Sequence, residues 1–68
     1  MAKGDFGPRI RQARETHKIS QEELAHKLNM TQSQISKMEK GKRRVYADEL
    51  EEVANALGIT IYDILKIS

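Results

Sequence analysis

Residues 31–44 read TQSQISKMEKGKRR. Thr31 followed three positions later by Gln34 is a capping-box pattern, in which each residue's side chain satisfies the other's backbone N–H at a helix start. The pattern predicts a helix over 32–40 that stops near Gly41. That helix holds only two sizeable apolar residues, Ile35 and Met38. A helix this short draws its stability from burying an apolar face, not from propensity. At about 100° per residue, Ile35 and Met38 define the inward direction. Ser33 and Lys40 then point away, Ser36 and Lys37 flank them, and Gln32 sits at the side of the first turn. All these outward positions are neutral-polar or cationic. Glu39, the one carboxylate of the segment, falls nearer the inward side.

Working outward, the preceding stretch SQEELAHKLN also opens on a capping box, Ser20 with Glu23. Leu24, Ala25 and Leu28 give it an apolar stripe, and Asn29 tolerates the left-handed conformation that ends many helices. A helix over 21–28 is expected, only a short turn before the next. Further upstream, Pro8 suits a first helical position. Ile10, Ala13 and His17 recur at helical spacing, which predicts a helix over 7–17 with His17 at the edge of the core. Downstream, KGKRRVYA is a basic loop. Leu50, Val53, Ala54 and Leu57 predict a helix over 48–57 with Asp48 as its cap and Gly58 as its stop. Thr60 caps a last helix over 61–66, with Ile61, Ile64 and Leu65 inward. No segment alternates convincingly enough for a strand. The expectation is an all-α, compact five-helix bundle over residues 6–66, with residues 1–5 as a short N-terminal arm. Its second and third helices form a helix-turn-helix.

Length and composition set bounds. A chain of 68 residues is one domain near the lower size limit for independent folding. It has no Cys, so neither a disulfide nor a thiolate ligand is available. Aromatics are 4% of the chain, so the core must be built from Ile, Leu, Val, Ala and Met. No apolar run approaches the roughly 18 residues of a membrane span. The N-terminus has no secretory pattern, and a cytoplasmic protein is expected. The net charge is only +2, yet it is segregated: +4 over residues 37–44 and −4 over residues 45–68. A basic segment on one side and an acidic one on the other suit a molecule that presents one side to an anion.

The face left over on the third helix has the chemistry of a DNA major-groove reader. Groove walls carry phosphates, so an outward carboxylate would be repelled. Gln pairs with the N6/N7 edge of adenine, Lys with the O6/N7 edge of guanine, and Ser with several edges. Gln32, Ser33, Ser36 and Lys37 are therefore candidate base readers. Lys40, Lys42, Arg43 and Arg44 follow where the helix would leave the groove, and are candidate phosphate contacts. Gln21, at the start of the second helix, is placed to meet the opposite phosphate wall.

The stretches IRQARETHKISQEELAHKL, TQSQISKMEKGKR and LEEVANALGITIYDIL together resemble the Cro/repressor-type helix-turn-helix family, often called XRE-like. The resemblance spans residues 6–65. SQEELA, the Ile35, Glu39 and Gly41 spacing, and ANALGI are its most specific parts. It implies a lambda-repressor-like DNA-binding domain whose third helix enters the major groove, with Gln21, Gln32, Ser33, Lys37, Lys42 and Arg43 in the roles given above and Gly41 as a further phosphate contact. It also implies a structural ion pair between Arg14 and Glu39. The sequence departs from the family pattern in having Asn29 where the turn often has Gly, and Tyr46-Ala47 where a Ser or Thr cap often stands. Ser33 is shorter than the Gln or Arg common at the second reading position.

Other chemistries are weaker. His17 and His26 lack the spacing and partners of a zinc site. Asp48, Glu49, Glu51 and Glu52 suit the N-terminus of a helix. No nucleophile–base pair or phosphate-cradling Gly-rich loop occurs, so no enzyme and no cofactor is expected, and no separate small-molecule effector domain either. The rival is a protein-interaction module on the same fold, an antitoxin or a bridging factor. Tyr62 and Ile67 exceed what a small core needs, and with Ile61 they are candidate dimer contacts. The expected function is a sequence-specific double-stranded DNA-binding regulator. It would bind a pseudo-palindromic operator as a homodimer and repress by occupancy, with contact to RNA polymerase as a route to activation.

Overall fold

The computed structural model describes residues 6–67; the expected arm, residues 1–5, lies outside them. Five helices follow in order: α1 Gly7–Thr16, α2 Gln21–Leu28, α3 Gln32–Glu39, α4 Ala47–Leu57 and α5 Ile61–Leu65. No strand occurs among the described residues. Ile10 and Ala13 of α1, Leu24 and Ala25 of α2, Ile35 and Met38 of α3, four residues of α4 and Ile64 of α5 close into one core. α4 gives the longest stripe, Leu50, Val53, Ala54 and Leu57, all buried.

Helix starts follow the side chains. Thr31 Oγ1 accepts from Gln34 N–H at 3.1 Å, and Gln34 Oε1 accepts from Thr31 N–H at 2.9 Å. Thr60 and Asp63 make the same reciprocal pair at α5. Ser20 caps α2 through Glu23 N–H at 3.0 Å. At α4 the expectation of an Asp48 cap is corrected. The helix begins one residue earlier, Asp48 lies inside its first turn, and Glu49 reaches back to accept from Tyr46 N–H at 3.1 Å.

Helices α1 to α4 end in one device. A left-handed residue follows each helix, and the next N–H reaches back five residues to a carbonyl. The left-handed residues are Lys18, Asn29, Gly41 and Gly58. The closing bonds are Ile19 to Arg14, Met30 to Ala25, Lys42 to Lys37 and Ile59 to Ala54, at 2.9–3.1 Å. After α1, α2 and α4 the residue making that bond is apolar and packs on the core. After α3 it is Lys42, which is exposed. The exit of α3 is thus the one corner not folded back over the apolar interior.

Two inward assignments, His17 and Leu65, and the outward one of Ile67 are corrected. His17 lies beyond the end of α1 and is exposed, because the chain turns at Lys18. Leu65 is 40% exposed, while Ile67, beyond the helix, packs against the core instead. α5 completes little more than one turn, so a small change in its orientation exchanges which residue faces inward. One close approach was not anticipated. A Cβ on Gly7 would lie 2.9 Å from the Glu39 carbonyl oxygen and against that of Met38, so the start of α1 seats on the last turn of α3 because residue 7 has no side chain.

Candidate nucleic-acid interface

Ile35 and Met38 are fully buried, which fixes the rotation of α3 about its axis. Gln32, Ser33, Lys37 and Lys40 are exposed and Ser36 is half-buried. Gln34 is also exposed, but its amide oxygen is held in the capping box. The outer face therefore offers amide, hydroxyl and ammonium groups and no carboxylate.

Glu39 is removed from that face by an ion pair. Arg14 Nε donates to Glu39 Oε2 at 2.6 Å and Arg14 Nη2 to Oε1 at 3.1 Å. Arg14 Nη1 also donates to the Ile19 carbonyl at 2.7 Å. The bond to Glu39 raises the Arg14 pKa further, against the opposing effect of burial. Gln21 adds a third strand to the knot, its amide donating to Glu39 Oε1 at 3.0 Å. One carboxylate thus gathers α1, the start of α2 and the end of α3. Gln21, expected at a phosphate, has one of its two amide hydrogens committed inward.

The basic segment after α3 divides into two sets. Lys42 and Arg44 are exposed, and like Lys37 and Lys40 they make no ion pair among the described residues. Arg43 is gripped: Nη1 donates to Glu49 Oε1 at 3.0 Å and Nη2 to Oε2 at 2.7 Å. This bidentate pair raises the Arg43 pKa and holds the Glu49 carboxyl below its ordinary value, helped by the Tyr46 N–H. Gly41 has a positive φ of 75° and open space around it, but its N–H closes α3 on the Met38 carbonyl. It contributes a bare corner rather than a free donor.

A family model described as helix-turn-helix matches residues 10–64, which takes in all of this apparatus except Gly7 and the tail. The chain belongs to the helix-turn-helix family. It is a DNA-binding transcriptional regulator of the XRE type. It is 38% identical over 64 residues to control protein C.BamHI of Bacillus amyloliquefaciens, covering 93% of this chain and 79% of that protein. Among solved structures it resembles the restriction-modification controller protein C.AhdI of Aeromonas hydrophila. There the TM-score is 0.81 at 31% identity, over 90% of this chain and 88% of that one. It also resembles the clp gene regulator ClgR of Corynebacterium glutamicum, with a TM-score of 0.86 at 27% identity, over 91% and 80% of the two chains.

Within this helix-turn-helix regulator the remaining expected residues sit apart from α3. Ile61 and Ile67 are half-buried and packed on the core, whereas Tyr62 is 74% exposed. With Leu65 it forms the exposed apolar part of α5, which rests on α1 and α4. No group of three metal-ligating side chains gathers among the described residues, and no helix there is long and apolar enough to cross a membrane. The sequence reading missed Glu49. Its partner Arg43 lies six residues away across an irregular loop, where neither helical nor strand periodicity applies.

Proposed function

We propose that this regulator is a repressor that binds a pseudo-palindromic operator as a homodimer and acts by occupancy. The observation that carries the reading is the outer face of α3: Gln32, Ser33 and Lys37 exposed on a rod whose rotation is fixed by two buried residues, with its only carboxylate neutralised inside. Gln32, Ser33, Ser36 and Lys37 read base edges, and Lys40, Lys42 and Arg44 meet phosphates as the helix leaves the groove. Gln21 meets the other wall with its remaining amide hydrogen. One module spans few base pairs, so two copies joined through Tyr62 and its neighbours read half-sites about one helical turn apart. The names of the similar proteins, controllers and a gene regulator, support a role in setting transcription.

Selection of bound sites from random duplexes tests this. The enriched pool should contain two related half-sites in inverted orientation. A single unpaired half-site would overturn the dimer, and a pool without a common sequence would overturn the base-reading role. The second outcome would favour the protein-interaction reading, with Tyr62 and Leu65 as the surface to follow. Activation of a reporter by the bound site, in place of repression, would point to contact with RNA polymerase.

A further inference from the structure

Residues 43–46 alternate in burial. Arg43 is half-buried and Val45 is buried, while Arg44 and Tyr46 are exposed. Val45 fixes the segment to the core, and Glu49 fixes it to α4. The Glu49 carboxylate is engaged at both oxygens: Oε1 accepts from both Arg43 and the Tyr46 N–H, and Oε2 from Arg43 at 2.7 Å. Arg43 also turns one Nη1 hydrogen to the Arg44 carbonyl at 3.2 Å. Both charges of the pair are therefore spent within the fold. The free cations are on either side, at Lys42 and Arg44.

We propose that Glu49 is a positioning residue of the DNA interface: by holding Arg43 against α4 it withdraws one cation from phosphate binding and turns Lys42 and Arg44 outward. The inference rests on the reading of α3 and its exit loop as the DNA-facing side. Its functional sense lies in the ratio of specific to non-specific binding. Each cation that meets a phosphate strengthens binding to every sequence alike, whereas discrimination depends on base contacts. Keeping Arg43 out of the set lowers the sequence-independent component and leaves base readout a larger share.

The test is a salt titration of binding to a random-sequence duplex, with retention on heparin in parallel. Glu49→Gln should steepen the log–log salt slope by about 0.9, the value for one further phosphate contact. It should also raise affinity for random duplex more than for the selected site. Glu51→Gln makes the same change in net charge on an exposed α4 position that forms no ion pair among the described residues, and should leave the slope unchanged. In an Arg43→Gln background, Glu49→Gln should have no effect on the slope. Equal slopes for Glu49→Gln and Glu51→Gln, or an effect that survives Arg43→Gln, would overturn the proposal. If Glu49→Gln does not fold, Arg43→Gln alone decides: it should keep the parent slope, and a loss of about 0.9 would show that Arg43 already binds phosphate. Heparin separates the two readings. Retention that follows this order without binding to any duplex rejects the DNA reading and leaves the Arg43–Glu49 latch standing. Salt-dependent duplex binding without the order rejects the latch.

Discussion

Arg14 and Glu39 face each other in the interior through two hydrogen bonds, with 8% and 4% of each residue exposed. Removing one member leaves the other charged and without its counter-ion in a desolvated place, which costs about 3–5 kcal/mol. Arg14→Ala should therefore depress the thermal midpoint by more than 10 °C, on the scale of about 4–8 °C per kcal/mol for a domain of this size. Circular dichroism at 222 nm follows it. A melt matching the parent would reject a structural role for the pair.

Lys18 stands in the left-handed region with φ 58°, where a side chain costs roughly 1 kcal/mol relative to glycine. It is exposed, so its side chain contributes nothing to the core. Lys18→Gly should raise stability by about that amount, because Gly fits the corner without strain. A denaturant midpoint that falls instead would mean that unfolded-chain entropy outweighs the relieved strain.

Gly7→Ala should act in the opposite direction. Its added carbon meets backbone oxygens at the end of α3, which cannot swing away as a side chain can. Overpacking of this kind costs about 1–3 kcal/mol. The same shift displaces the exit of α3, so affinity for the selected duplex should fall along with the thermal midpoint. An unchanged melt would show that α1 does not seat on α3 in solution.

Gln32→Ala and Arg44→Ala should separate base reading from phosphate binding. The first should cost about 1–3 kcal/mol at the preferred site and relax its base preference. The second should weaken all duplexes and reduce the salt slope by about 0.9. Equal losses on selected and random DNA for both variants would remove the distinction.

The Arg43–Glu49 pair carries a pH signature. The Glu49 carboxyl lies below its ordinary value of 4.5, chiefly through Arg43. A depressed carboxylate stabilises the fold above its unfolded value, and loses that contribution as pH falls through the folded one. The parent should thus melt above Glu49→Gln at neutral pH, and the gap should close as the pH drops below that ordinary value. A gap that stays constant down to pH 3 would place Glu49 outside the pair.

Legibility in the sequence followed the range of the interactions. The starts of α2, α3 and α5 were readable because Ser20, Thr31 and Thr60 act within three residues of themselves. The start of α4 was not, since Tyr46 contributes no capping side chain and Glu49 closes the turn from inside. The end of α1 was misread at His17 because Lys is an unusual residue for a left-handed corner. The inward choice between Leu65 and Ile67 depends on the docking of a five-residue helix, which periodicity cannot fix. Of the ion pairs, Arg14 with Glu39 was reachable through family resemblance, and Arg43 with Glu49 through nothing local. The rotation of α3 was the strongest inference, because Ile35 and Met38 leave it one way to lie.

The chain has no tryptophan, and both tyrosines lie on the surface, 58% exposed at Tyr46 and 74% at Tyr62. Its ultraviolet emission therefore reports from two outposts and not from the interior. Tyr46 sits beside the cationic loop and Tyr62 on the last helix. Replacing either with phenylalanine turns the other into a single intrinsic fluorophore. One such variant would register duplex binding and the other self-association, with no dye attached.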